Sequence, residues 1–315
     1  MNYYYSVNDY LKEVYKEKVY KIAIDAGLTC PNRDGSLDTR GCIFCSAGGS
    51  GDFAVSRKEF PTISAQIEAG IELFSGKKVG NYFIAYFQAY TNTYGPIEYL
   101  EKIFSEALMH PSIVGISIAT RPDCLGEDVL AMLSALKERF PNKFIWIELG
   151  LQTIHEDTAR YIRRGYSLQV FENALENLQT REIPVIAHVI LGLPFETKKQ
   201  ILQTIDYLAK KQIFGIKLQL LHILKGTDLA EEYAKNLFSV YEKDEYIDLV
   251  IDCIERLPKN MVLHRVTGDG PKNLLIAPLW SGNKKDVLNA LHHRLKERGA
   301  YQGRFFYDAG PIDSI

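Results

Sequence analysis

VIAHVILG (residues 185–192), TKKQILQTIDYLAKK (197–211) and GIKLQLLHI (215–223) follow one another with only short connections between them. The first and third are nearly continuous apolar runs, as strands buried on both faces should be. The middle segment reads as a helix. Strand, helix and strand in this order form the right-handed crossover of a parallel sheet. The alternation continues outward. Strands are expected at Val19–Ile24, Tyr82–Phe87, Gly115–Thr120 and Phe144–Gly150. Helices are expected at Thr62–Phe74, Pro96–His110, Glu127–Phe140, Leu168–Thr180 and Asp228–Leu237. Six such units predict an α/β fold, a partial (β/α)6 TIM-like barrel. A short amphipathic helix precedes it, with Ser6 and Asp9 as a capping box. Past residue 238 the alternation fades into a helix at Tyr241–Leu257 and a strand-like run at Met261–Val266. The expected division is an N-terminal helix (1–17), a barrel (18–238) and a C-terminal α/β extension (239–315).

The first strand–helix connection, residues 25–61, is unusually long. Long loops inside compact domains are usually functional or disordered. This one carries Cys30, Cys42 and Cys45 in CPNRDGSLDTRGCIFC (residues 30–45). Three thiolates are one short of the closed four-ligand zinc or iron–sulfur site. An iron–sulfide cube held by three cysteines keeps one iron open to a substrate or small cofactor. Zinc is the rival reading, because CIFC has zinc-ribbon spacing and a His or Asp can complete a site. No second CxxC or HxxxH partner is present to support it. The Gly/Ser-rich piece at 46–52 lacks the Lys-Ser/Thr ending of a phosphate loop and reads better as a cover.

In a parallel barrel, chemistry sits at the C-terminal ends of the strands. Uncommon polar residues collect there: Gln88 and Tyr90 after the second strand, Thr120 and Arg121 after the third, Glu148 and Gln152 in and after the fourth. His188 and Gly192 belong to the fifth strand, and His222 and Lys225 follow the sixth. Glu148 and His188 lie inside apolar strands, where a polar side chain is either a satisfied core group or one aimed into the barrel mouth.

Composition narrows the rest. A net charge of −2 and 46% hydrophobic residues describe a large core without global basicity, so nucleic-acid binding needs a local patch. One local patch is residues 281–304, net +4, which is either a solvated face or a seat for phosphates. Five cysteines, an odd count, argue against a disulfide framework and for a reducing compartment. With no signal-like or membrane-spanning apolar run, a cytoplasmic location is expected.

The combination CPNRDG with CIFC, YFQAYTNT, TRPDC, ELGLQT, RRGY, GLPFET, KLQLLHILKG and APLW resembles the radical S-adenosylmethionine (SAM) superfamily, specifically its YhcC/YtqA branch, a relative of the Elp3-type enzymes. The resemblance implies that Cys30, Cys42 and Cys45 hold a [4Fe–4S] cluster whose open iron binds SAM. Reductive cleavage of SAM then gives a 5′-deoxyadenosyl radical that takes a hydrogen atom from substrate. It further implies Phe44 near the adenine, Gln152 at the ribose, Arg164 at the methionine carboxylate, and Gly192 where backbone approaches adenine. Gln88 and Tyr90 occupy the strand that often carries a Gly-Gly-Glu motif for the SAM amino group. Ala119 stands where Elp3-type proteins have a glutamate, so a ribose contact falls to Glu148 or Thr120. His188 joins these as a cofactor-site residue.

The branch is associated with the wobble uridine of tRNA, converting a 5-carboxymethylaminomethyl group to 5-aminomethyl. Implied partners are tRNA, a reductant such as flavodoxin or ferredoxin, and a downstream methyltransferase. Acetyl-CoA is not expected, because no stretch is left for an acetyltransferase domain. Arg57-Lys58 and the basic C-terminal segment are the expected tRNA path. Two alternatives stand beside this: a radical SAM enzyme of peptides or small metabolites, and a non-enzymatic iron–sulfur redox sensor that binds RNA.

Overall fold

The computed structural model describes residues 2–49, 51–74, 80–268 and 270–306. Its strands are β1 (Tyr20–Ile24), β2 (Phe83–Phe87), β3 (Ile113–Thr120), β4 (Phe144–Gln152), β5 (Val185–Leu191), β6 (Gly215–Leu220), β7 (Ile223–Leu224), β8 (Val262–Arg265) and β9 (Leu275–Ala277). Its helices are α1 (Val7–Tyr15), α2 (Ile63–Glu72), α3 (Ile97–Met109), α4 (Glu127–Arg139), α5 (Glu156–Tyr161), α6 (Leu168–Thr180), α7 (Lys198–Ala209), α8 (Asp228–Ala234), α9 (Lys243–Arg256) and α10 (Lys284–Arg298). Seven strands pair in parallel in the order β1-β2-β3-β4-β5-β6-β8, a curled half-barrel whose edges β1 and β8 do not pair with each other.

Two expectations shift. The run read as one strand from Gly215 to Ile223 leaves the sheet after Leu220, and β7 pairs antiparallel with β9 instead. The run Met261–Val266, read as part of an extension, supplies β8, a seventh strand of the same sheet. Its four residues are too short a signal to be counted as a further unit from sequence.

Strand alternation builds the barrel in layers. On β4, Ile145, Ile147, Leu149 and Leu151 face outward into the main core beneath the helices. Trp146 faces inward and joins Val19, Ile84, Val114 and Ile186 in an apolar floor. Helix α1 plugs this floor. The Ser6–Asp9 capping box starts it, Leu11 is buried, and Tyr10 packs on Trp146 and Phe214. The Leu263 N–H donates to Tyr5 O at 2.8 Å, tying the plug to β8. Above the floor lies a charged middle layer, and above that the rim with the cysteine loop.

Among the described residues no helix is long and apolar enough to cross a membrane.

Candidate active site

The cysteine loop leaves β1 and folds back over the rim, where Val55 N–H donates to Ala23 O at 3.0 Å. Cys30, Cys42 and Cys45 all line one cavity of about 170 Å³ at the C-terminal ends of the strands. Asn32 Nδ2 donates to Cys42 Sγ at 3.3 Å and to Arg163 O at 2.7 Å, the kind of donor that steadies a thiolate. Arg33 donates to Cys45 O and Ser46 O, pinning the turn that carries the last thiol. Among the described residues, no three His, Cys, Asp or Glu side chains stand close enough to grip one metal ion. Three soft sulfur donors around one cavity match a wider iron–sulfur group in chemistry and placement.

The same cavity is lined by Phe44, Gln88, Tyr90, Thr120, Glu148, Gln152, Arg164 and His188, so eight of the nine expected cofactor-site residues converge on the cysteines. Gly192 does not line it. Its φ of +89° makes a turn at the end of β5, with the Tyr241 ring about 3 Å from where a Cβ would stand. Gln152 and Tyr90 are both held in the left-handed region, at φ +62°. For Gln152 the register breaks between Gly150 and Gln152, and the bulge turns the side chain inward, where Tyr166 Oη donates to Gln152 Oε1 at 3.1 Å. Tyr90 Oη donates to Ala47 O at 2.6 Å, and a Cβ on Gly49 would sit 2.2 Å from the Tyr90 ring. Glycine at 49 is what lets the backbone lie against the Tyr90 ring at the cavity wall.

Two side chains are engaged differently from expectation. Arg164 is 1% exposed, and its guanidinium donates to Tyr166 O, Leu151 O, Thr153 O and Glu156 Oε1. Four of its five N–H groups hold the loop after β4, which leaves one for a carboxylate ligand, not the bidentate pair that RRGY suggests. Glu148 is saturated: Lys21 (2.8 Å) and Ser117 (2.6 Å) donate to Oε1, while Lys217 and His188 Nε2 donate to Oε2. A carboxylate has about four lone-pair sites, so none is left for a ribose.

Glu148 is the centre of the middle layer. Burial raises its pKa, but Lys21 and Lys217 more than reverse this and hold it well below the carboxylate range. Burial pushes Lys217 well down, Glu148 resists, and Lys21 and Arg265 add to the depression. Lys217 also donates to Tyr86 Oη at 3.0 Å. Burial and Lys217 lower His188 to about 4 against the pull of Glu148, so the ring is neutral at pH 7. With Nε2–H given to Glu148, Nδ1 is the acceptor that faces Gln219 Nε2 at 3.4 Å. Reading the sequence missed Tyr86, Lys21, Lys217, Gln219 and Arg265. The available signal was a lysine or tyrosine at an inward position of an otherwise apolar strand. Arg121 was read at the rim without a role. It pairs doubly with Asp123 (2.9 and 2.7 Å), and its Nη1 donates to Arg164 O at 3.0 Å.

The arginines of the expected tRNA path have partners within the fold. Arg57 Nη1 donates to Ala26 O, so it braces the cysteine loop. On α10, Arg298 pairs with Asp248, Asp252 and Glu255, and Arg294 with Asp248 and Glu297. Most of that helix's guanidinium charge is therefore spent on its neighbours.

These features define an α/β half-barrel enzyme whose chemistry rises from a three-thiol loop over a polar lumen. The model of the radical SAM superfamily matches residues 39–208, and that of the radical SAM C-terminal domain matches residues 213–297. The chain belongs to the radical SAM superfamily, whose members use a [4Fe–4S] cluster and SAM. It is 44% identical to the uncharacterized protein YtqA of Bacillus subtilis, over 96% of this chain and 92% of that one. It is 32% identical to the protein YhcC of Escherichia coli, over 90% of each. Mouse Elongator complex protein 3 is 25% identical over 88% of this chain, which spans 56% of that protein. Among solved structures, the Elp3 of the archaeon Methanocaldococcus infernus aligns with a TM-score of 0.66 at 17% identity. The alignment covers 90% of this chain and 64% of that one, and supports the fold.

Proposed function

We propose that this chain is a radical SAM enzyme that acts on the wobble uridine of tRNA, converting a 5-carboxymethylaminomethyl group to 5-aminomethyl. The observation that carries this reading is one cavity running from three cysteines down to Glu148, His188 and Arg265 of the inner layer. The likeness to Elongator complex protein 3 supports a tRNA substrate over a peptide.

Cys30, Cys42 and Cys45 are the residues that would hold the cluster. Gln88, Thr120, Gln152 and Phe44 are the ones that would contact SAM. When bound and reduced, the pair supplies a radical able to remove hydrogen from a carbon beside nitrogen. The protein's part is orientation and dryness. Arg164 fixes the loop after β4, the bulge at Gln152 aims an amide inward, and Tyr90 latches the glycine-rich cover that keeps water out. Asn32 holds the Cys42 sulfur, and Arg33 pins the backbone that carries Cys45.

Anaerobic reconstitution, reduction with a flavodoxin-type donor, and mass spectrometry of tRNA nucleosides test the reading. Loss of the carboxymethylaminomethyl nucleoside with gain of the aminomethyl one is expected. Formation of 5′-deoxyadenosine with unchanged tRNA would reject the substrate and leave the class standing.

A further inference from the structure

The half-barrel is open between β1 and β8, and a cleft of about 820 Å³ enters the lumen there. Lys21 and Lys217 line it from within, Lys272 and Lys284 line it further out, and Phe53 stands on its edge. Phe53 is 55% exposed and also lines the neighbouring pocket that contains Phe44 and Cys45, so it stands where the cleft meets the rim. Both ring nitrogens of His264, which lines the cleft, are buried without a hydrogen-bond partner. The two lysines share a single carboxylate, Glu148, and Arg265 lines the same cleft, so cationic side chains outnumber the carboxylate in this layer. Lys21 is 26% exposed and lines the cleft; its ammonium bonds Glu148 at 2.8 Å and lies over the Tyr86 ring at 4.9 Å, and a lysine ammonium carries three donors, so it has capacity for a further acceptor. A half-desolvated cation with spare donors recognises a carboxylate, and an exposed aromatic above it offers a face to a base.

We propose that this side cleft seats the substrate nucleotide, with Phe53 stacking on its base and Lys21, backed by Lys217, receiving the carboxylate of its 5-substituent. This rests on the wobble-uridine reading and names the groups that would tell the substrate from its decarboxymethylated product. The aminomethyl product is cationic and has no carboxylate, so the same layer favours its release.

Binding tests this independently of turnover. Two tRNAs that differ only at the wobble base, carboxymethylaminomethyl or aminomethyl, are titrated against the cluster-loaded protein with SAM present. Wild type is expected to bind the carboxylate form at least about ten-fold tighter. Lys21→Met is expected to erase that preference, with affinity for the aminomethyl form held or improved and cluster absorbance retained. Phe53→Ala weakens both tRNAs about ten-fold, and Phe53→Tyr restores them. A wild type that does not discriminate, or a Lys21→Met that still does, overturns the proposal. If tRNA is modified yet Lys21→Met keeps its KM, the assignment fails while the function stands. If discrimination is seen without turnover, the function fails and the carboxylate site stands.

Discussion

Gly49 and Tyr90 show how much one side chain can decide. The glycine has φ +56° and no room for a Cβ beneath the Tyr90 ring. Gly49→Ala is expected to unlatch the cover and slow 5′-deoxyadenosine formation at least ten-fold, whereas Tyr90→Phe loses one hydrogen bond, about 1 kcal/mol. Comparing the two rates checks this, and equal losses would contradict it. His188 gives a pH signature. Its pKa falls from 6.5 unfolded to about 4 folded, so the unfolded chain binds the extra proton between those values. The neutral ring's contribution is whole above pH 6.5 and is lost as pH falls towards 4. Denaturant titrations at pH 7 and pH 5 should show wild type losing about 2 kcal/mol more than His188→Gln.

Between elements, α9 and α10 are joined by ion pairs centred on Glu255, which is fully buried and pairs with Arg298 and Arg304. Glu255→Gln leaves two guanidinium groups short of charge. The expected cost is about 1–3 kcal/mol, discounted for the partial exposure of both arginines, and a thermal unfolding scan measures it. The strands and helices themselves were legible because apolar runs and helical periodicity recur with short connections. The helix Leu168–Thr180 has the bounds its sequence suggests. β8 was not counted because a four-residue strand has no period to read, and what recruits it is the open edge of β6. The positive charge of α10 reads in the sequence as either a solvated face or a seat for phosphates. The carboxylate of α9 that pairs with its two arginines, Asp248, lies nearly fifty residues upstream, a distance at which pairing has no local signature.

Across the whole molecule, one alternation of side chains produces three strata: an apolar floor closed by α1, a charged layer on Glu148, and a thiol-bearing rim. The cysteines and most of the rim were readable from their spacing and from the motifs at strand ends. The middle layer was not. Lys21, Tyr86 and Lys217 come from three strands and acquire meaning only when the sheet curls both lysines onto one carboxylate and brings Tyr86 to Lys217. The backbone partners of Arg164 were equally illegible, since only the fold shows that its buried guanidinium also holds Leu151, Thr153 and Tyr166.

In the proposed function, Cys30, Cys42 and Cys45 hold an iron–sulfur cube with one iron open to SAM. Iron and sulfide analysis of anaerobically prepared protein, joined to electron paramagnetic resonance of the reduced cluster with and without SAM, tests it most directly. Four iron and four sulfide per chain are expected, with a spectrum that SAM changes and a cluster lost in Cys42→Ala. Zinc in place of iron, or a spectrum indifferent to SAM, would contradict it.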